Sequence, residues 1–304
     1  MSDQQSQNEL AKSDIIEDDI QTQTPRILEI LLLDRTLSTP RNPKNIIWAN
    51  DNYIEYGAVS YASTAQIKPE LITGKRGTLI QPRVLKAAVL QKKRTKSKAE
   101  VFTPSWIVKK QNDAVDAAYS NDDLETYLRR KWLEISCGEA PYMATRYDME
   151  TGRLIPLAQR VGFVDRKLAR INREISNKSQ WRRLAELAYK ASYGFEWNGD
   201  SLLLARENLL YTLRDYYLEK WGEAPDYDFL ETIANVISYN VFQMDGLTYT
   251  IPLSEKKEQV QDSQLLLFDM NELEKIEWKT VPGVRVKIMN WDTNEMEFFD
   301  EEIK

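Results

Sequence analysis

The stretch Trp132–Tyr142, WLEISCGEAPY, constrains the fold of this chain more than any other. A short apolar run carries an acid, Glu134, and runs into a small-residue turn that holds Cys137 and Gly138. That order predicts a β-strand whose C-terminal end meets a ligand, as in open α/β sheets. Taken alone, it describes an ordinary strand-to-helix turn equally well.

Histidine is absent from all 304 residues. Its absence excludes a Ser-His-Asp triad, a Cys-His pair and every His-containing zinc site. No Gly-x-x-x-x-Gly-Lys-Ser/Thr occurs, which excludes a phosphate P-loop. Cys137 is the only cysteine, so no internal disulfide forms and a reducing cytoplasm is expected. No apolar run nears the roughly 20 residues of a membrane span, and the polar, acidic start is not a secretory signal. A 42% hydrophobic chain of this length can bury one large core.

A net charge of −6 does not mark a nucleic-acid binder, but the charge is unevenly spread. Residues 1–24 hold six acids and one lysine, and are expected to be a disordered acidic tail. From Arg83 to Lys98 there are seven basic residues and no acid. Within it, Lys92, Lys93, Arg94, Lys96 and Lys98 are candidate phosphate contacts to DNA, acting by counterion release. A solvated linker has the same composition. Residues 25–99 are expected to form a small mixed region with this basic linker. Its β-like runs are Asn45–Trp48 and Tyr53–Ser60.

From residue 100 onward, strand and helix patterns alternate, which predicts an α/β fold with a mainly parallel sheet. Helices are expected after Pro104, over Leu124–Arg130, twice within 157–193, and over Ser201–Lys220 and Tyr227–Ser238. Strands are expected at Trp132–Ser136, Gly194–Trp197, Val241–Met244 and Val284–Trp291. A hairpin is expected from Tyr249–Leu253 and Leu265–Phe268. The helices of 157–193 carry Arg166, Lys167, Arg170, Arg173, Arg182 and Arg183, a pattern that fits solvation first and DNA contact second.

Four segments in this order carry a resemblance: Glu100–Pro104 (EVFTP), Trp132–Tyr142, Tyr193–Leu209 with its YGFEW and LARENL pieces, and Asn240–Leu247 (NVFQMDGL). Together they resemble the N6-adenine DNA methyltransferases of restriction–modification systems, more narrowly the restriction endonuclease subunit M group. The likeness covers roughly residues 90–250. It implies a Rossmann-like methyltransferase sheet over 100–304, with S-adenosylmethionine as cofactor and DNA as partner. A second modification or restriction subunit is a further implied partner. It implies that Phe102, Thr103 and Pro104 lie over the cofactor's methionine end, beside Glu134, Cys137 and Gly138. It implies Glu196 on the ribose and Asp245 at the adenine amino group.

The chain departs from that pattern in three places. Glu139-Ala140-Pro141 stands where Ser-Gly is expected. Glu134 and Glu196 lie 62 positions apart, whereas about 20 separate the corresponding parts of a dinucleotide site, so 157–193 reads as a helical insertion. A rival alignment instead makes Gly162–Asp165 the second strand. The Asn/Asp-Pro-Pro-Tyr/Phe motif that holds the target amine is absent, leaving Asn290 and Trp291 as candidate catalytic substitutes: an amide acceptor and a ring for a flipped base. The expected function is therefore a DNA adenine methyltransferase-like protein, incomplete by itself. The alternative is a non-catalytic DNA- or partner-binding subunit derived from one.

Overall fold

The computed structural model describes residues 17–82, 103–148, 152–260 and 277–302. Helices α1 (Glu17–Gln23), α2 (Pro25–Leu32) and α3 (Pro69–Ile72) come first. Next are α4 (Ser105–Asp116), α5 (Leu124–Arg129) and strand β1 (Trp132–Glu134). Helices α6 (Phe163–Glu174) and α7 (Lys178–Lys190) lead to β2 (Ser192–Glu196). Helices α8 (Gly199–Trp221) and α9 (Tyr227–Asn240) lead to β3 (Val241–Gln243). Two hairpins follow, β4 (Lys256–Val260) with β5 (Glu277–Val281) and β6 (Lys287–Asn290) with β7 (Glu295–Phe298), then α10 (Phe299–Glu302).

The first three strands form one parallel sheet in the order β1-β2-β3, pairing Leu133 with Tyr193 and Phe195 with Phe242. This is a mixed α/β arrangement, as the alternating patterns predict. Each crossover between these strands uses a helix pair. Helix starts follow the capping rules: Asp123, Asn177 and Asp226 accept hydrogen bonds from the backbone N–H three residues on. The 23-residue α8 stops at Gly222, whose φ of 69° suits a residue without a Cβ.

Alternation along the strands divides the sheet's two faces. One face carries Trp132, Glu134, Ser192, Gly194, Glu196, Val241 and Gln243, all buried. Trp132 and Val241 join the main core with Leu128, Phe163, Leu184, Leu202 and Leu213. The other face carries Leu133, Tyr193, Phe195 and Phe242. A smaller core covers its β3 side, where Phe195 and Phe242 meet Met244, Ile251, Val286 and Phe299.

Two expectations need correction, and the rival placement of the second strand falls away. The Gly162–Asp165 segment is not a strand: Phe163 begins α6, with Val164, Leu168 and Ile171 buried at helical spacing. Ser192–Glu196 is therefore the second strand. In the N-terminal region, Asn45–Trp48 makes only isolated bridges, and Tyr53–Ser60 is a 3-10 turn and bends. The backbone of Asn45 and Ile47 bonds to side chains, Gln66 and Gln243, so no ladder propagates. The same region instead supplies helix α2, which Pro25 pre-sets at its first position and Ile27, Leu28 and Leu31 bury. The strand expected at Tyr249–Leu253 is a turn in which Thr250 makes two isolated bridges, to Asp245 and Arg285. Its proposed mate, Leu265–Phe268, lies outside the described residues.

Candidate functional site at the carboxyl edge of the parallel sheet

β1 ends on Glu134, whose two oxygens accept from the backbone N–H groups of Tyr142 (3.1 Å) and Met143 (2.9 Å). One carboxylate thus closes the whole loop 135–143. Inside the loop, Ser136, Gly138 and Ala140 have φ of 49°, 55° and 61°. Two of these are not glycine and sit in a region that costs an L-residue energy, so the closing bonds hold the loop in place.

The same loop is bound to β2. The Cys137 N–H donates to the Phe195 carbonyl (2.8 Å), and the Gly138 N–H donates to Glu196 Oε2 (2.9 Å). Glu196 Oε1 accepts from the Asn198 backbone N–H (3.0 Å) and its side-chain amide (3.1 Å). Gly194 makes this approach possible: a Cβ there would stand 3.1 Å from Met143 Sδ and 3.3 Å from Cys137 Sγ. Two neighbouring parallel strands therefore end on two buried carboxyls with one turn between them.

Burial pushes the Glu134 carboxyl up to about 8, against the two backbone donors that pull it down, with Glu196 adding to the rise. Burial also raises Glu196, opposed by Asn198 and Gly138. Burial, then Glu134 and Glu196, keep the Cys137 thiol well above its usual value. Cys137 is a buried, protonated thiol and not a nucleophile.

Thr103 and Pro104 come to this edge. Pro104 caps α4, and Thr103 lies beside the phenol of Tyr142, the residue whose N–H Glu134 holds. Asn112 of α4 donates to the Tyr142 carbonyl (3.0 Å), locking helix and loop together. Phe102 lies outside the described residues, as do Lys92, Lys93, Arg94, Lys96 and Lys98. Asp245 lies two residues beyond β3, half-buried. Its Oδ1 accepts from the Leu247 N–H (2.8 Å), shaping a turn.

Sequence reasoning missed the part played by the N-terminal region. Gln243, at the end of β3, brackets Ile47: its Oε1 accepts from the Ile47 N–H (2.9 Å) and its Nε2 donates to the Ile47 carbonyl (2.8 Å). The Gly199 N–H donates to the Trp48 carbonyl (3.1 Å), and a Cβ on Gly199 would lie 2.0 Å from the Ile47 oxygen. Asp200 accepts from Asn50 (3.0 Å) and the Tyr53 hydroxyl (2.8 Å), and Asn50 also reaches Asn198 (3.2 Å). Residues 47–53 thus wall the outer side of Glu196. Positions about 150 apart in sequence carry no local pattern that announces such a contact.

Asn290 and Trp291 are not at this edge. Trp291 Nε1 donates to Asn240 Oδ1 (2.8 Å), and Asn240 caps the starts of β2 and β3 through the carbonyls of Tyr189, Lys190 and Ser192. That is the amino edge, about 17 Å away along a five-residue strand. Asn290 spends its side chain locally. Its amide nitrogen donates to Glu297 (2.9 Å), and its oxygen accepts from the Asp292 N–H (3.0 Å). This separates the proposed catalytic pair from the carboxyls. The basic residues of α6 and α7 are also engaged: Arg166 pairs with Asp113 and Asp116, Arg170 with Glu174, Arg182 with Asp226 and Arg183 with Glu125. Lys167 is buried among the Arg130 and Ala191 carbonyls and Ser192.

The residues fit S-adenosylmethionine in part. Glu196 Oε2 takes one donor and keeps acceptor capacity for a ribose hydroxyl. The Gly138 turn allows close backbone approach at the methionine end. Beside the ends of β2 and β3, Ile47 and Trp48 are held by Gln243 and Gly199, and they occupy space an adenine would need. Among the described residues, no group of three or more His, Cys, Asp or Glu could hold a metal, and no helix is long and apolar enough to cross a membrane. No family model, curated protein or solved structure matches this chain.

Proposed function

We propose that this chain is an S-adenosylmethionine-binding protein of the N6-adenine DNA methyltransferase type, a modification-subunit relative that lacks its own acceptors for the target amine. One observation carries the reading: Glu196 ends the middle parallel strand and is hydrogen-bonded to Gly138 in the turn after β1. That places a carboxylate and a close-approach turn together at the edge where open α/β sheets bind ligands. When bound, the cofactor supplies an activated methyl group. The chain's own residues hold and orient it, Glu196 at the ribose and the Gly138 turn at the methionine end, while Thr103 and Pro104 cover it.

Calorimetric titration with S-adenosylmethionine or its demethylated product tests this directly. Saturable binding is expected, and Glu196→Ala is expected to weaken it by about 1–3 kcal/mol, the scale of a hydrogen bond to a charged group. Near-UV circular dichroism confirms that the variant is folded. Unchanged affinity in a folded Glu196→Ala protein rules out the ribose assignment.

The place of Asn290 and Trp291 at the opposite edge favours a second reading, a subunit that binds DNA or a partner without catalysing transfer. On either reading the purified chain is expected to transfer little or no labelled methyl to mixed-sequence duplex DNA. Strong transfer that collapses in Asn290→Ala would restore Asn290 as the amine acceptor. For DNA binding, neutralising Lys92, Lys93 and Arg94 together is expected to flatten the salt dependence of affinity. A wild-type slope in that variant leaves residues 83–98 as a linker.

A further inference from the structure

We propose that the Ile47 backbone is a built-in competitor for the adenine end of the cofactor, held in place by Gln243, and that S-adenosylmethionine binds only when residues 46–53 withdraw. The inference rests on the methyltransferase-type reading above and adds a regulation of the same site.

Gln243 carries the first argument. It is the last residue of β3 and pairs across the sheet with Glu196, the carboxyl proposed for the ribose. Its Nε2 donates to two carbonyls, Trp197 (2.8 Å) and Ile47 (2.8 Å), and its Oε1 accepts from the Ile47 N–H (2.9 Å). The Trp197 bond fixes which way the amide faces, because a flipped amide would turn its oxygen to a carbonyl. A donor and an acceptor therefore stand side by side, in a set order, on one buried side chain. A side-chain amide makes the same two bonds to adenine: it donates to a ring nitrogen and accepts from the 6-amino group. Ile47 thus takes up the pairing that an adenine edge needs. Gly199 gives the space its shape. A Cβ there would stand 2.0 Å from the Ile47 oxygen, so the gap admits a flat, polar-edged group at backbone distance.

The second argument is how the segment is tied. Much of its own bonding stays within residues 46–67. The Trp48 ring lies 4.7 Å from that of Tyr53 and 5.2 Å from that of Tyr61. The N–H groups of Trp48 and Ala49 donate to the Ala65 (3.0 Å) and Ser63 (2.8 Å) carbonyls, and Trp48 Nε1 donates to the Ser60 carbonyl (3.1 Å). A shift of the whole segment keeps these contacts. Toward the sheet edge it is held by hydrogen bonds: Gln243 to Ile47, Gly199 to Trp48, Trp197 Nε1 to the Ala49 carbonyl (2.9 Å), and Asn50 and Tyr53 to Asp200. A ligand that pairs with Gln243 replaces the first of these bond for bond. The others set the fraction of open molecules, and the apparent affinity is the intrinsic affinity scaled by that fraction.

The test uses the full chain. Amide hydrogen exchange is measured across 46–50, with and without saturating S-adenosylmethionine. A ligand ordinarily slows exchange at its site; here exchange is expected to quicken by about tenfold or more, because the ligand takes Gln243 from Ile47. Asn50→Ala/Tyr53→Phe loosens the segment and leaves Gln243, Gly199 and Glu196 in place. Without ligand its 46–50 amides are expected to exchange faster than those of the wild type, and in calorimetry it is expected to bind the cofactor about tenfold tighter. The same variant is expected to favour adenosine over inosine by about tenfold, because inosine carries a carbonyl where adenine carries the amino group. Cofactor binding that leaves 46–50 slow, a variant whose segment stays closed, or an open variant that binds no tighter would each overturn this inference and leave the methyltransferase reading standing. Equal affinity for adenosine and inosine would overturn the part given to Gln243. No cofactor binding by the wild type or by the variant, with its segment shown open by exchange, overturns the methyltransferase reading and this inference together.

Discussion

Arg206→Met is expected to lose about 3–5 kcal/mol of folding stability, out of the 5–15 kcal/mol typical of a domain. The guanidinium is fully buried and donates to four backbone carbonyls: Leu31 (2.5 Å), Leu33 (2.9 Å), Val241 (2.7 Å) and Ser238 (3.2 Å). Those carbonyls come from the end of α2, the end of α9 and the start of β3. One side chain therefore ties the N-terminal helices to the sheet. Methionine fills much of the volume but leaves the carbonyls without a donor, each costing about 1–3 kcal/mol before relaxation. It also removes the positive charge near the buried Asp34. Arg206→Lys keeps the charge but not the fork, and is expected to recover only part of the loss. Urea unfolding at constant m-value measures both. A loss below about 1 kcal/mol in Arg206→Met would contradict this account.

Stability is also expected to fall as pH rises from about 5 to 7. With no histidine in the chain, buried carboxyls and one lysine carry titration in this range. Burial raises Asp34 and Asp165 to about 6 and Glu134 to about 8. A carboxyl raised in the folded state contributes stability that is complete below its unfolded value and is lost as pH passes its folded value. Each proton held only by the native state is worth about 1.4 kcal/mol per pH unit. Asp34 and Asp165 therefore act between about pH 4 and 6, and Glu134 up to pH 8. Lys167, lowered by burial to about 7, works the other way: above pH 7 the unfolded chain holds its proton and the native chain does not. Burial also holds the Glu207 carboxyl well above its ordinary value, so stability still falls between pH 7 and 8, but less steeply. The exposed acids Asp113 and Asp226, lowered by their cationic and backbone partners, oppose the trend only below about pH 4. Urea midpoints at pH 5, 6, 7 and 8 check this. A midpoint that is constant or rises from pH 5 to 7 would show that the carboxyls are ionised in the native state.

The strand-and-helix order from Trp132 to Gln243 was legible because each element carries a local signal. Apolar residues recur at helical spacing in α6 and α7, Asn177 and Asp226 cap their helices, and Gly222 closes α8. The placing of Glu134 and Glu196 at strand ends was legible for the same reason. Three features were not. Asn290 reads as a strand-end acceptor, but sequence cannot say at which edge of the sheet a later hairpin docks. The N-terminal runs read as strands because Ile46, Ile47 and Trp48 are β-formers, yet the backbone N–H groups of Asn45 and Ile47 bond to side chains, which breaks the ladder. The wall that Asn50 and Tyr53 build around Asp200 depends on tertiary pairing alone.

Gln243 grips both the N–H and the carbonyl of Ile47 across a sequence separation of 196 residues, and Arg206 reaches Leu31 across 175. A ribosome produces residues 25–50 long before either anchor exists. Ile27, Leu28, Leu31 and Leu32, all buried in the finished protein, emerge with nothing to bury them. Such long-range closure slows folding and lengthens the time that apolar surface stays open to aggregation. During synthesis the first helices therefore wait with their apolar faces uncovered, and the Gln243 grip on Ile47 closes only after β3 has left the exit tunnel.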